Sequence, residues 1–253
     1  MATGVAGAVS VAVASAGLLA GVLATEAWLA ARRSYLTDSP QIEGEFGLGA
    51  GGNPVRLALL GDSTAAGVGV QRVTETVGGQ LAARLAGEGR RVRLSGAGIA
   101  GSRSSDLGPQ VSRALLGRPD VAVLLIGSND AMHAAPLPAV RRNLGEAITR
   151  LRTAGVNVVV GTCPDLGAAR AFGQPLRALL AVRGRQLAAA QAAAVTAAGG
   201  VAVDLATLTG RVFRADPGTL SADRFHPSAD GYRLWAEAML PAVREAASSR
   251  APL

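Results

Sequence analysis

Short apolar runs alternate with longer amphipathic segments from Val55 onward. The apolar runs are rich in Val, Leu and Ile and bounded by Gly, Asp or Asn, which is typical of buried strands. The segments between them are rich in Ala, Leu and Arg, which favour helix. This pattern predicts strands at 56–60, 91–95, 120–126, 156–162 and 201–204, and helices at 74–88, 105–117, 138–154, 175–198 and 228–248.

Strands that alternate with helices indicate βαβ units, in which a parallel sheet is covered on both faces. The predicted fold is therefore α/β, a three-layer α/β/α sandwich with a five-stranded parallel sheet in flavodoxin-like order. We expect residues 55–250 to form this one domain.

The N-terminal residues follow a different pattern. Residues 1–25 carry no charge and are mostly Gly, Ala, Val and Leu, which is long enough for a helix to cross a bilayer. We interpret residues 1–33 as an uncleaved anchor helix, with a cleaved export signal as the alternative. Arg32 and Arg33 at its end favour a domain on the cytoplasmic face. Residues 34–54 are Gly-rich, show no periodicity and are predicted to be a linker.

The amino-acid composition limits the kinds of partner and bound group that we expect for this chain. The chain has 253 residues, 49% of them hydrophobic, enough for one large core. All 25 basic residues are Arg and the net charge is +7, but the Arg are scattered and aromatics are few, which argues against nucleic acid as a partner. A membrane surface remains a possible partner. One Cys and two His match no usual zinc site, so we expect no metal and no cofactor.

Polar residues follow two of the predicted strands directly. Ser63 comes after Gly61-Asp62 at the end of the first strand, and Asn129 lies in Gly127-Ser-Asn-Asp130 after the third. In open α/β sheets ligands bind at this edge, where both side chains would meet. Each residue alone is more typical of a helix N-cap or an Asx-turn.

A third polar group precedes the last predicted helix, in Asp223-Arg-Phe-His226-Pro. An Asp that holds one imidazole nitrogen leaves the other free to accept a proton from a serine. A His-Pro pair at a helix start is more often structural, but several such pieces at the same edge favour a catalytic site.

Gly96-Ala-Gly98-Ile-Ala-Gly101 contains the glycine spacing of a dinucleotide-binding loop. That fingerprint requires an acidic residue after the next strand, whereas Asp120 precedes it. A glycine loop that brings backbone N–H groups to the ligand edge is the simpler interpretation.

Together these pieces resemble the SGNH (GDSL-type) esterase and lipase superfamily, from about Arg56 to Val243. The four blocks of that family are similar to Gly61-Asp62-Ser63, Ala97-Gly98-Ile-Ala-Gly101, Gly127-Ser128-Asn129-Asp130 and Asp223-Arg-Phe-His226-Pro, in the same order. One departure is Gly96, where the family often has Asn.

The resemblance implies the SGNH hydrolase fold and a role for each matching residue. Ser63 would be the nucleophile, His226 the base and then acid, and Asp223 the group that orients His226. The Ser63 and Gly101 backbone N–H groups and the Asn129 amide would form the oxyanion hole. We expect Asp62 and Asp130 to brace loops, His133 to be exposed and Cys163 to be a small buried residue.

The expected function is hydrolysis of a carboxylic ester through an acyl-enzyme. The apolar segment Pro164–Leu176 favours a lipophilic or lipid ester. One alternative is O-deacetylation of a cell-envelope glycan, which requires a domain facing outward. The other is a non-catalytic binding module with the same fold. The intact Ser63, Asp223 and His226 argue against a binding module.

Overall fold

The computed structural model describes residues 17–18, 20–30 and 32–249. Its strands are β1 Glu43–Phe46, β2 Val55–Gly61, β3 Val92–Gly96, β4 Val121–Leu125, β5 Asn157–Gly161 and β6 Val201–Val203. After a helical segment at 20–30, the α-helices are α1 Ser63–Ala66, α2 Val77–Gly87, α3 Leu107–Leu116, α4 Ser128–Met132, α5 Leu137–Thr153, α6 Leu176–Ala197, α7 Leu205–Ala215 and α8 Ala229–Ser248.

The sheet has six strands in the order β1-β3-β2-β4-β5-β6. Strands β2 to β6 are parallel and follow the predicted flavodoxin-like order. The prediction of a five-stranded, purely parallel sheet is wrong, because β1 adds an antiparallel edge strand beside β3.

Strand β1 lies inside the predicted linker 34–54, so that prediction is wrong for these four residues. Their sequence alternates between exposed and half-buried positions, the pattern of a strand with one face on the protein. Glu45 pairs with Arg91 and Arg93, on either side of the start of β3. Just before β1, Ile42 is buried in the core.

The two faces of the sheet carry separate cores. Leu57 and Leu59 of β2 point into one core, which is covered by α2 and α8. Ala58 and Leu60, which alternate with them, point into the other, which is covered by α3 and α5. The three-layer arrangement was predicted, and it follows from central strands such as β4, whose residues are apolar and buried at every position.

Three short helices were not predicted: α1, α4 and α7. The first two begin immediately after β2 and β4 and carry Ser63 and Asn129. Both are too short to show a helical period in the sequence.

The predicted anchor at 1–33 falls largely outside the described residues, since its first sixteen positions are not among them. In the described part of the chain, no helix has both the length and the apolar character needed to span a bilayer.

Candidate active site

A sharp turn between β2 and α1 places Ser63 at the carboxyl end of the sheet, where the residue is 8% exposed. Gly61 has a φ of 134°, and a Cβ there would come 1.7 Å from the carbonyl oxygen of Leu125 on the adjacent strand. Only glycine fits this position. Asp62 is the N-cap and accepts the Thr64 N–H at 2.9 Å, so Ser63 is the first residue of the helix rather than its cap.

Ser63, His226 and Asp223 form a continuous hydrogen-bonded chain. His226 Nε2 lies 3.0 Å from Ser63 Oγ, and His226 Nδ1 lies 2.6 Å from Asp223 Oδ2. The His226 and Asp223 side chains are 5% and 3% exposed. A carboxylate can only accept, so the imidazole proton is on Nδ1 and Nε2 is free to accept from the serine hydroxyl.

The loop that carries His226 wraps around the Asp223 carboxylate. Asp223 Oδ1 accepts from the N–H groups of Phe225 at 2.9 Å and His226 at 3.0 Å, and from Ser221 Oγ at 3.0 Å. Burial alone would raise the pKa of Asp223, but the His226 ring and these N–H groups hold that pKa well below its ordinary value. These contacts favour the ionised form of Asp223.

The predicted oxyanion donors lie at the starts of two short helices, α1 with Ser63 and α4 with Asn129, and in the loop that contains Gly101. Asn129 borders the same pocket as Ser63, and its Nδ2 donates to the Ser102 carbonyl at 3.0 Å, leaving a second N–H on that nitrogen. This bond connects Asn129 to the residue that follows Gly101. Gly101 is exposed with a φ of 82°, and no atom lies within 4 Å of where its Cβ would be.

Two buried glutamines support this edge, and sequence reasoning missed both. Gln110 on α3 accepts the Gly61 N–H at 2.7 Å and donates to the Gly61 carbonyl at 3.0 Å and to Ser102 Oγ at 3.1 Å. Gln191 on α6 accepts the Cys163 N–H and donates to the Ile126 carbonyl, both at 2.7 Å. A signal was available, because each glutamine interrupts the apolar stripe of its helix.

The Gly96 departure has a structural reason. A Cβ at Gly96 would lie 2.5 Å from Ile42 Cβ. Ile42, next to β1, therefore occupies the space that a larger residue would need at the end of β3.

The structure confirms the expectations for four further residues, Asp62, Asp130, His133 and Cys163. Asp62 accepts from Thr64 and Asp130 from Ser104, and burial raises the pKa of both carboxyls, that of Asp62 to about 6. His133 is exposed, and Cys163 is fully buried, which raises the pKa of its thiol.

A small pocket of about 40 Å³ opens beside Ser63 and His226. Its walls are largely apolar and include Leu166, Ala168, Ala169 and Phe225. Part of the segment Pro164–Leu176 therefore lines the pocket as predicted, while Ala171 and Phe172 do not. Across the described ranges, no cluster of three or more His, Cys, Asp or Glu side chains is placed to hold a metal ion.

Residues 59–234 match the sequence pattern of the GDSL-like lipase/acylhydrolase family. A GDSL-like esterase of Mycobacterium tuberculosis is 45% identical over 200 residues, which cover 78% of this chain and 64% of that protein. This chain thus spans less than two thirds of that relative's length.

Solved structures share the fold. The lipase/acylhydrolase from Enterococcus faecalis superposes with a TM-score of 0.61 at 25% identity, covering 78% of this chain and 98% of that one. A catalytic mutant of an acetylxylan esterase from Geobacillus stearothermophilus superposes with a TM-score of 0.58 at 19% identity, covering 76% and 95%.

Proposed function

The chain belongs to the GDSL-like lipase/acylhydrolase family, and we propose that it hydrolyses carboxylic esters through an acyl-enzyme formed on Ser63. The observation that carries this proposal is the buried chain of hydrogen bonds from Ser63 through His226 to Asp223. A neutral serine is a weak nucleophile until a neighbouring base takes its proton, and His226 Nε2 is within reach of that proton.

In the first half of the reaction Ser63 Oγ attacks the ester carbonyl carbon as its proton passes to His226 Nε2. The imidazolium that forms is stabilised by the ionised Asp223 on its other nitrogen. When the tetrahedral intermediate collapses, the bond to the alcohol oxygen breaks and His226 returns the proton to that oxygen. The alcohol leaves, and the acyl group remains on Ser63.

The second half repeats these steps with water. His226 takes a proton from water, which attacks the acyl-enzyme, and then protonates Ser63 Oγ as the carboxylic acid leaves. In both halves the negative charge on the carbonyl oxygen needs donors that are already in place. The Ser63 and Gly101 N–H groups and the second N–H of Asn129 Nδ2 are the donors we assign.

Hydrolysis of p-nitrophenyl acetate by the wild type and by Ser63→Ala tests this assignment. We expect Ser63→Ala to lose at least about 10³-fold in kcat, because the nucleophile is removed while the fold is retained. Equal rates for the two proteins would exclude Ser63 as the nucleophile. Circular dichroism of both proteins serves as the control for folding.

The pocket beside Ser63 supports a short acyl group. The walls of the pocket are largely apolar and its volume is about 40 Å³, which together support a lipophilic but short acyl group. We expect kcat/KM to fall along the series p-nitrophenyl acetate, butyrate and octanoate. A maximum at octanoate would contradict the short-acyl assignment.

The same small pocket favours a second candidate, removal of acetyl groups from a cell-envelope glycan. The Geobacillus protein with this fold is named an acetylxylan esterase. Release of acetate from an O-acetylated polysaccharide, compared with release from triacetin, distinguishes the candidates. Faster release from the polysaccharide favours the glycan deacetylase, and faster release from triacetin favours a lipophilic ester.

A further inference from the structure

We propose that the N-terminal strap, defined as residues 32–36, is a positioning element of the catalytic triad. This inference rests on the proposed function, since it assigns a role in the same site. The strap lies upstream of the family match at 59–234, and its sequence contains none of the family's motif residues.

The strap reaches the catalytic carboxylate directly. The Leu36 N–H donates to Asp223 Oδ2 at 3.2 Å, the same oxygen that accepts from His226 Nδ1. The remaining donors to Asp223 come from residues 221–226, the loop that carries the carboxylate itself. Within the described part of the chain, Leu36 is therefore the one donor to Asp223 from outside this loop.

The two carboxylate oxygens are consequently held by different parts of the molecule. Oδ1 accepts only from N–H and hydroxyl groups of its own loop. Oδ2 accepts from His226 Nδ1 and also from the Leu36 N–H, so a donor from outside the loop holds the oxygen that the imidazole contacts. Because the imidazole takes its orientation from Oδ2, the strap contributes to the alignment of His226 with Ser63.

Two further contacts hold the strap in place. Arg33 Nη1 donates to the Ala171 carbonyl at 3.0 Å, and the Ala171 N–H donates to the Arg224 carbonyl at 3.1 Å, next to Asp223. The Tyr35 ring packs on Phe225 with centroids 5.3 Å apart, and Phe225 packs edge-on against the His226 ring at 4.9 Å. The strap thus contacts the backbone on one side of the triad and an aromatic ring that covers the imidazole.

The test removes only the donor. Leu36→Pro in the full chain deletes the N–H, because proline has none. Leu36→Ala keeps the N–H and serves as the conservative variant. Thr37→Pro is the matched control, because it introduces the same ring one residue away and leaves the Leu36 N–H intact. Active sites are counted with a fluorophosphonate, and kcat and KM are measured separately with p-nitrophenyl acetate.

We expect Leu36→Pro to lower kcat per titrated site about tenfold or more, the effect of losing a hydrogen bond to a charged group. KM should stay near the wild-type value, because the strap does not border the acyl pocket. Leu36→Ala and Thr37→Pro should remain within about twofold of the wild type. A kcat per site in Leu36→Pro equal to that of the wild type, with or without a lower Tm, would overturn the proposal. An equal loss of kcat in Thr37→Pro would overturn it as well.

A spectroscopic measurement separates this proposal from the proposed function. The proton between His226 Nδ1 and Asp223 gives a low-field ¹H resonance that requires no substrate. We expect it to move upfield and exchange faster in Leu36→Pro but not in Thr37→Pro. A wild type that hydrolyses no ester would refute the proposed function alone, whereas an unchanged resonance in Leu36→Pro would refute the role of the strap.

Discussion

Asp62 and Asp223 are both buried carboxyl groups, beside Ser63 and His226, yet their pKa values are shifted in opposite directions. Asp223 accepts from its histidine partner and from backbone N–H groups, which favour the charged form and lower its pKa. Asp62 accepts two hydrogen bonds, both from Thr64. These do not offset burial, which raises the pKa of Asp62 from 3.8 to about 6.

The raised pKa of Asp62 makes the stability of the protein depend on pH. Between pH 4 and 6 the unfolded chain releases the Asp62 proton before the folded chain does, so stability is lost as the pH rises through this range. The full effect is about 3 kcal/mol. Asp62→Asn cannot ionise and keeps an oxygen for Thr64, so its stability relative to wild type should rise by up to that amount from pH 4 to 7.

Urea denaturation of both proteins at pH 4, 5, 6 and 7 measures this difference. Comparing the two proteins at each pH removes the contributions of other groups, including Asp130. Parallel stability profiles would show that Asp62 titrates at its ordinary pKa.

At the scale of elements, the ends of two strands are held by side chains from helices. Strand β3 lies beside β2 only as far as Leu59, which pairs with Gly96. Two residues further on, Gln110 accepts the Gly61 N–H and adds a second donor to the Gly61 carbonyl, which also accepts from the Ile99 N–H. Gln191 accepts the Cys163 N–H after β5 and donates to the Ile126 carbonyl after β4. The bonds of the two glutamines hold the turns that precede Ser63 and Asn129.

Gln110→Leu should therefore weaken both the fold and the site. The variant leaves the buried Gly61 N–H without its acceptor, and we expect a loss of about 1–3 kcal/mol in the free energy of unfolding. It also removes the hydrogen bond to Ser102 Oγ, next to Gly101, so kcat should fall as well.

Urea unfolding and ester hydrolysis check these expectations. The control is Leu116→Ala on the same helix, where the side chain is 85% exposed and a change within about 0.5 kcal/mol is expected. A Gln110→Leu protein as stable as this control would show that Gly61 finds another partner.

At the scale of the whole molecule, the described residues before the family match are part of the fold. Strand β1 pairs with β3 along its full length, and Ile42 is 7% exposed beneath Gly96. The residues that look like a tether in the sequence thus cover the open edge of the sheet, and further upstream they reach Asp223.

A chain that begins at residue 55 should be less stable than one that begins at residue 37. Without Ile42 the chain loses a buried apolar side chain, which lowers the free energy of unfolding by about 1.5–3 kcal/mol. At 2–4 °C for each kcal/mol, the Tm should fall by about 3–12 °C. The exposed edge of β3 should also promote aggregation.

Thermal unfolding and size-exclusion chromatography of the two chains check this prediction. Neither chain contains the N-terminal strap, so the comparison isolates β1 and Ile42. Equal Tm values would show that residues 55–250 form an independent domain, as the sequence suggested.

Part of this protein was determined by its sequence alone. Uniformly apolar strands such as Val121–Leu125 have no polar face and must be buried on both sides, so the three layers and the parallel order of five strands could be predicted. The candidate site could be predicted because Ser63, Asn129 and His226 each follow a strand or precede a helix at the one edge where parallel strands end together.

The remainder depends on contacts between residues far apart in the chain. Strand β1 has the sequence Glu-Gly-Glu-Phe, in which a single apolar residue does not indicate a strand, and it becomes one only because β3 offers an open edge. Leu36 lies 187 positions from Asp223, and a backbone N–H has no sequence signature. The local hydrophobic pattern indicates which face of a helix or strand is buried. Which N–H donates to which carboxylate is decided by the tertiary structure, because the two groups are close in space and far apart in the sequence.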